Sequence, residues 1–402
     1  MVPSGVGLQT KYLLEGLLKT GKYQFRSLGA ALKHADYRPI RIQEYGDDWL
    51  IHPVDGYGNE SMLRQIFDSE KYDAFWFMTD PRFYDHVFNM SDEIKDRGIP
   101  ILYNHVWDEM PTPTFNYSKY NSCDFVGCIS KLTFQIMKNL NLDYKSEYIP
   151  HAVDENIFKP FSKEEILKQK ETVLGLNKDK FVIFYNSRNA RRKMTSDVVK
   201  CFSYFLKVIG QDKAFLLMHC DPFDPEGSNL VEVSNMLGLK PTQIAFSNVR
   251  LPSEQLAIFY NVADITINIS NNEGWGLSCT ESLMCGTPVV ANKTGGLQDQ
   301  VIDDKGNEYG VCIEPSTKSL TGSQQIPWIY DCRNSDEDIL NALLKMYRMT
   351  NDERKELGRK ASERCKVDFS MKNLIDKWDI AFEKYIKLYK YGNPNNKKIR
   401  KI

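Results

Sequence analysis

"DITINISNNEGWGLSCTESLMCGTPVVANKTGG", residues 264–296, decides the fold. A buried apolar run ends at Ser270, and a polar loop then carries Glu273, Gly274, Trp275 and Gly276. A short helix is expected from about Leu277 to Cys285. Gly286 suits the left-handed position that stops a helix, and Pro288 opens the next strand. That strand runs into a second loop, Thr294-Gly295-Gly296, and another helix. Two successive strand–loop–helix units place glycines at the carboxyl edge of a parallel sheet.

Such an edge serves anion binding. Helix N-termini carry unpaired N–H groups and about half a positive charge, and glycine lets phosphate oxygens approach the backbone. Carboxylates do not belong beside a phosphate, so Glu273 and Glu281 call for another partner. The vicinal hydroxyls of a sugar fit, because a carboxylate accepts two hydrogen bonds from a diol in fixed geometry. Taken singly, each glutamate has a plainer reading: Glu273 as a helix cap, Glu281 as an exposed helix residue.

Outward from this stretch, short apolar runs alternate with amphipathic segments in both halves of the chain, the pattern of parallel-sheet α/β proteins. Residues 72–78, 100–106 and 123–130 read as strands in the first half. Residues 180–187, 214–220, 244–249, 264–270, 288–292 and 309–314 do so in the second. Helical stretches at Glu60–Ser69 and Lys131–Leu140 separate the first group. Pro150 and Pro160 bracket an extended connection, which divides the chain into a first domain over 1–160 and a second over 161–368. Residues 369–390 form a last helix with Leu374, Trp378, Ala381, Phe382 and Tyr385 on one stripe, an aromatic face that must pack and is expected to cross back to the first domain. A basic tail, 391–402, follows.

A chain of 402 residues with 42% hydrophobic and 26% charged residues and a net charge of −1 is globular, and it lacks the basic balance of a nucleic-acid binder. Nine cysteines, with no CxxC pair and no histidine cluster, read as reduced thiols in a cytoplasmic protein. No apolar run approaches the ~18 residues of a membrane span. Arg26, Lys33, Arg38 and Arg41 either form a weak basic face for peripheral membrane contact or are ordinary surface charges. The triplet Asp336-Glu337-Asp338 starts an amphipathic helix, where acids favour the dipole, so no metal site is expected.

The stretch "EGWGLSCTESLMCGTPVVA" (273–291) resembles the paired-glutamate motif of retaining glycosyltransferases with the GT-B fold, glycosyltransferase family 4. "FVIFYNSRNARRKM" (181–194) resembles that family's strand, turn and Arg-x4-Lys, with Arg188 and Lys193 in register and Ser187 replacing a glycine. "YIPHAVDENIFKP" (148–160) resembles its interdomain signature, with Ala152 for glycine. "LPSEQLAIFYNVADITINIS" (251–270) matches the lead-in to the glutamate loop, and "PILYNHVWDEMP" (100–111) sets His105 past a strand end where the family often has a histidine.

The resemblance implies two Rossmann-like, doubly wound domains facing a cleft. It also implies hexosyl transfer from a nucleotide-diphosphate-sugar donor to a glycan, lipid or protein acceptor, as in polysaccharide biosynthesis. The donor is a substrate, and no cofactor is implied. Arg188 and Lys193 would clamp the diphosphate, as a bidentate fork plus a point charge. The amides of Gly274, Trp275, Gly276, Leu277, Gly295 and Gly296 would assist them. Glu281 would hold the ribose diol and Glu273 the sugar hydroxyls, and His105 would touch the donor sugar. His105 also reads as a plain core histidine, and the basic residues as a surface cluster. Same-face substitution, with the departing phosphate helping to deprotonate the acceptor, is the expected route to retention. The alternative is a non-catalytic or decayed nucleotide-sugar-binding protein.

"MVPSGVGLQTKYLLEGLL" (1–18) resembles the family's first glycine loop and helix, with Gly5 and Gly7 near the donor. The strand expected before it is missing, which would leave bare sheet edges and a weakened first domain. A dinucleotide fingerprint fails here, since Thr10 stands where a third glycine is needed and no strand precedes.

Overall fold

The computed structural model describes residues 4–30 and 33–392. They form two compact units. The first runs to Trp107 and includes Thr112–His151 and the chain from Met371; the second comprises Asp108–Pro111 and Ala152–Ser370. The chain leaves the first unit for the body of the second only after His151, ahead of the break read at Pro160, and returns to the first at Met371, while Asp108–Pro111 belong to the second.

The second unit is built on strands that are apolar on both faces, as a sheet covered by helices on both sides requires. Its first strands precede the hairpin to come; in chain order the whole molecule has fifteen, β1 (Phe25–Gly29), β2 (Ile40–Ile42), β3 (Gly46–Pro53), β4 (Phe75–Met78), β5 (Ile101–His105), β6 (Phe125–Cys128), β7 (Ser146–Tyr148), β8 (Phe181–Asn186), β9 (Ala214–His219), β10 (Ile244–Ser247), β11 (Ile265–Asn268), β12 (Val289–Asn292), β13 (Gly310–Ile313), β14 (Thr317–Thr321) and β15 (Ile329–Arg333) among the described residues. β8 to β13 form one sheet in the order β10-β9-β8-β11-β12-β13, all neighbours parallel. The chain winds outward from β8 through β9 to β10, then returns to β11 on the other side of β8. The order reverses between β8 and β11, and outside the carboxyl ends of such a pair doubly wound sheets bind their ligands. β14 and β15 add an antiparallel hairpin after β13 that the sequence reading did not foresee.

The first unit has two sheets. β1-β3-β2 pairs β1 with β3 in parallel and β2 with β3 antiparallel; β4-β5-β6-β7 is parallel throughout. Among the described residues no strand precedes the helix Gly5–Leu18, and β1 and β4 each pair on one side only. The burial agrees: β5 is buried at every position, β1 only half-buried along its length. Gly5 and Gly7 do not form a turn ahead of the helix. They lie in its first turn, where the Ser4 hydroxyl accepts the Gly7 N–H at 3.1 Å and caps the helix.

The last helix, Met371–Tyr391, belongs to this first unit. Trp378 is fully buried, edge-on to Trp76 and Phe125 and beside Phe382. Lys377 donates to the Tyr148 carbonyl at 2.7 Å, and Lys22 meets Asp379 and Glu383 at 2.7 and 2.8 Å. The close approach needs a missing side chain at Gly127 on β6, where a Cβ would come within 2.5 Å of the Trp378 ring. We therefore expect Gly127→Ala to cost about 1–3 kcal/mol, the usual penalty for overpacking, because the indole is pinned by three rings. Urea unfolding checks this; an unchanged midpoint would show that the helix is not held there.

Candidate active site

The strand ends on either side of the order reversal supply the candidate residues of the second unit. After β8 the chain enters a tight turn, Arg191–Lys193, which leaves through Met194 in the left-handed region (φ 54°). After β11 comes the loop Ile269–Gly276, and Gly276 (φ 87°) opens the helix Leu277–Met284. Gly286 (φ 79°) closes that helix in the left-handed position read from the sequence. The Asn271 N–H donates to the Arg192 carbonyl at 2.8 Å, tying turn to loop.

Glu273 and Lys193 form an ion pair with little solvent around either side chain, 13% and 11% exposed. Arg192 reaches the same carboxylate oxygen at 3.2 Å and the Asn272 carbonyl at 2.9 Å. Burial, with Arg192 beside it, pushes the Lys193 ammonium downward, and the Asp108 carboxylate opposes that push. Arg188 lies farther out, 62% exposed, its guanidinium forked onto Asp224 at 2.6 and 2.9 Å.

Glu281 differs from Glu273. It is 6% exposed, with no cation against it: its carboxylate accepts the Tyr260 hydroxyl at 2.6 Å and the Asn186 amide at 3.5 Å. Burial pushes its pKa up to about 7, and the Tyr260 hydrogen bond pulls the other way.

The glycine loop packs directly on Glu273. The Gly296 N–H donates to the Glu273 carbonyl at 3.0 Å. A Cβ on Gly295 (φ 45°) would collide with the carbonyls of Glu273 and Asp108, so only glycine fits. Gly295 spends its N–H on the Glu109 carboxylate at 3.1 Å. Trp275 is buried, donates its indole N–H to Thr280 at 2.9 Å and stands edge-on to Phe369, which makes it a support of the loop. Gly274 and Leu277 complete the loop and begin the helix.

His105 ends β5 in the first unit, fully buried, with Nε2 at 3.1 Å from the Tyr120 hydroxyl; burial takes its pKa down to about 3. Its imidazole is uncharged at neutral pH. Gly5 and Gly7 remain in the first helical turn of the same unit. Elsewhere, Asp336 pairs with Lys200 at 2.8 Å and Asp338 accepts from Ser335, as acids at a helix start do. Arg26, Arg38 and Arg41 meet Glu70, Asp36 and Asp47.

Sequence reasoning missed Arg192, Tyr260, Asn186, Thr294 and Glu109. Arg192 was visible beside Lys193 but read as a flanking surface charge. Tyr260 sits 21 positions before its partner, and no local pattern links the two.

Residues 167–360 match the model of the "glycosyl transferases group 1" family. The α-monoglucosyldiacylglycerol synthase of Streptococcus pneumoniae is 29% identical over 181 residues, 45% of this chain and 40% of that protein. The D-inositol 3-phosphate glycosyltransferase of Thermobispora bispora is 31% identical over 154 residues, 37% and 35% of the two chains. The chain thus spans well under half the length of these curated relatives. Among solved structures, sucrose-phosphate synthase from Thermosynechococcus elongatus superposes with a TM-score of 0.73 at 15% identity, over 95% of this chain and 93% of that one. An Anabaena protein solved with UDP and glucose gives 0.69 at 12% identity, over 95% and 97%. With the doubly wound sheet, the paired glutamates and the family match in one place, residues 167–360 belong to the glycosyl transferases group 1 family, in a chain with the two Rossmann-like units of the GT-B fold.

Proposed function

We propose that this protein is a hexosyltransferase that moves a sugar from a nucleoside-diphosphate-sugar to an acceptor hydroxyl, without a metal and with retention of configuration. The contrast between Glu273 and Glu281 carries the reading. One carboxylate is buried among cations, the other is buried without any. The second suits a neutral diol such as ribose, and the first lies where a departing diphosphate would find Lys193 and Arg192.

In this reading Glu281 holds the ribose diol and Glu273 the sugar hydroxyls. As the glycosidic bond breaks, negative charge grows on the leaving diphosphate, and Lys193, Arg192 and Arg188 meet it electrostatically. Lys193 and Arg192 are already oriented by Glu273, and Arg188 by Asp224, so little reorganisation remains at the moment of reaction. Retention follows from attack on the face the diphosphate leaves, its oxygen taking the acceptor proton. UDP is the nucleotide we favour, supported by the Anabaena neighbour solved with UDP and glucose. The nine unpaired cysteines, eight of them buried, support a reducing, cytoplasmic setting. No helix among the described residues is long and apolar enough to cross a membrane.

Glu273→Ala should lower turnover of UDP-glucose about 10²–10³-fold, the usual loss when one preorganised electrostatic group goes. Equal rates for variant and wild type would remove Glu273 from the reaction, and release of UDP by neither protein from any donor would leave a binding protein rather than an enzyme. Glu281 gives a pH test. A diol needs the ionised carboxylate, so UDP affinity should rise with pH by about tenfold per unit up to the pKa near 7, then level off. Calorimetric titration at pH 6, 7 and 8 checks this, and Glu281→Gln should bind weakly and without the slope.

The same group sets a stability signature. Its folded pKa lies above the ordinary 4.5, so the folded chain holds the extra proton; that stabilisation is complete below pH 4.5 and lost as pH rises through about 7. At about 1.4 kcal/mol per pH unit the loss reaches about 3 kcal/mol at most. Glu281→Gln should therefore gain thermal stability over the ligand-free wild type as pH goes from 5 to 8; a constant difference would refute the assignment.

A further inference from the structure

Four residues, Asp108–Pro111, belong to the second unit while Trp107 and Thr112 on either side belong to the first. Glu109 in their midst is 5% exposed, and each of its carboxylate oxygens is engaged. Oε1 accepts the Met110 N–H at 2.9 Å; Oε2 accepts the Gly295 N–H at 3.1 Å and the Thr294 hydroxyl. The Met110 carbonyl accepts the Tyr330 N–H of β15 at 2.7 Å, and Cys332 on that strand donates to the Asn271 carbonyl at 3.0 Å. Asn272 donates to Asp331 at 3.1 Å. The loop that bears Glu273 is thus braced from two sides, by β15 and by the glycine loop whose Gly296 N–H holds the Glu273 carbonyl.

We infer that Glu109 is a positioning residue for sugar transfer: by fixing Thr294 and Gly295 it fixes Gly296, and through Gly296 the backbone of Glu273. The inference rests on the reading of Glu273 as partner of the sugar hydroxyls. Glu109 touches neither Glu281 nor Tyr260, so its effect falls on the sugar half of the donor and spares the nucleoside half. A carboxylate is required in full. All three groups facing Glu109 are donors, so a glutamine would turn one of its acceptors into a donor against an N–H or O–H. A buried donor left without an acceptor loosens the loop it belongs to.

The test uses the full chain and three variants, Glu109→Ala, Glu109→Gln and Glu273→Ala. In Glu109→Ala we expect amide hydrogen exchange to quicken over residues 271–276 and 294–296 but not over 277–284. UDP-glucose turnover should fall ~10- to 100-fold while UDP affinity stays within about threefold of wild type, as for a group that orients the reacting end alone. Glu109→Gln should fall between the two. Unchanged exchange and turnover in Glu109→Ala would overturn the inference. So would a loss of UDP affinity as large as the loss of turnover, which marks general damage to the unit. Full turnover in Glu273→Ala would instead sink the functional reading, and the exchange pattern would still decide whether Glu109 holds the two loops.

Discussion

The site depends on a carboxylate that has left water. Glu273 is largely buried on a loop, where an unpaired charge would cost several kcal/mol. Lys193 and Arg192 answer it, and both come from the single turn Arg191–Lys193 after β8. Two loops from neighbouring parallel strands are thereby drawn together, and Asn271 adds a backbone bond to the same turn. The pair also fixes what the glycine loop does. With Glu273 held by its side chain on one side and by its carbonyl on the other, Gly295 and Gly296 are needed less for freedom of motion than for closeness: a side chain at either would strike the loop backbone.

Glu273 and Glu281 come from one short stretch of sequence and end in opposite electrostatic settings. The helix Leu277–Met284 begins between them, so Glu281 is turned toward Tyr260 and Asn186, where hydroxyl and amide donors replace cations. The pKa near 7 is the consequence of that neutral burial. A carboxylate that discharges readily is buried at lower cost than one that keeps a full charge, and under the proposed function it would ionise when a diol supplies hydrogen bonds.

The legible parts of the sequence were those where one requirement overrides the rest. β8 to β13 announce themselves because they are short, mostly apolar runs, as strands covered on both faces must be; Gly286 announces a helix end because only glycine accepts φ 79° there readily. β2 and β3 gave no such signal, since much of their length faces outward and carries Arg41, Asp47 and Asp48. β14, exposed along its whole length, and its partner β15 were missed for the same reason. At the candidate site, Glu273, Glu281 and Lys193 stood out in the sequence through their resemblance to a family motif, and the structure sets Glu273 against Lys193 and buries Glu281. Arg192, Tyr260 and Glu109 were not, because their importance lies in partners 81, 21 and 186 positions away. The turn expected at Ser4–Gly7 failed for a local reason: a capping serine lets two glycines enter a helix that their propensity alone would discourage.

Each of the three cations named at the site already has a carboxylate partner. Lys193 and Arg192 face Glu273, and Arg188 faces Asp224. Charge for a leaving diphosphate must therefore come from an exchange of partners rather than from idle positive groups. The exchange is unequal. Arg188 is mostly exposed, so water screens its charge and little is lost when it leaves Asp224. Lys193 is buried, and if Glu273 turns to neutral sugar hydroxyls the ammonium is left with a strong need for a new anion. Under the proposed function a nucleotide-sugar donor would supply both halves of that trade at once, hydroxyls for the carboxylate and phosphate for the ammonium. A nucleoside diphosphate without its sugar would offer only the second half, so on that proposal the deep pair would be rearranged fully only by the intact donor.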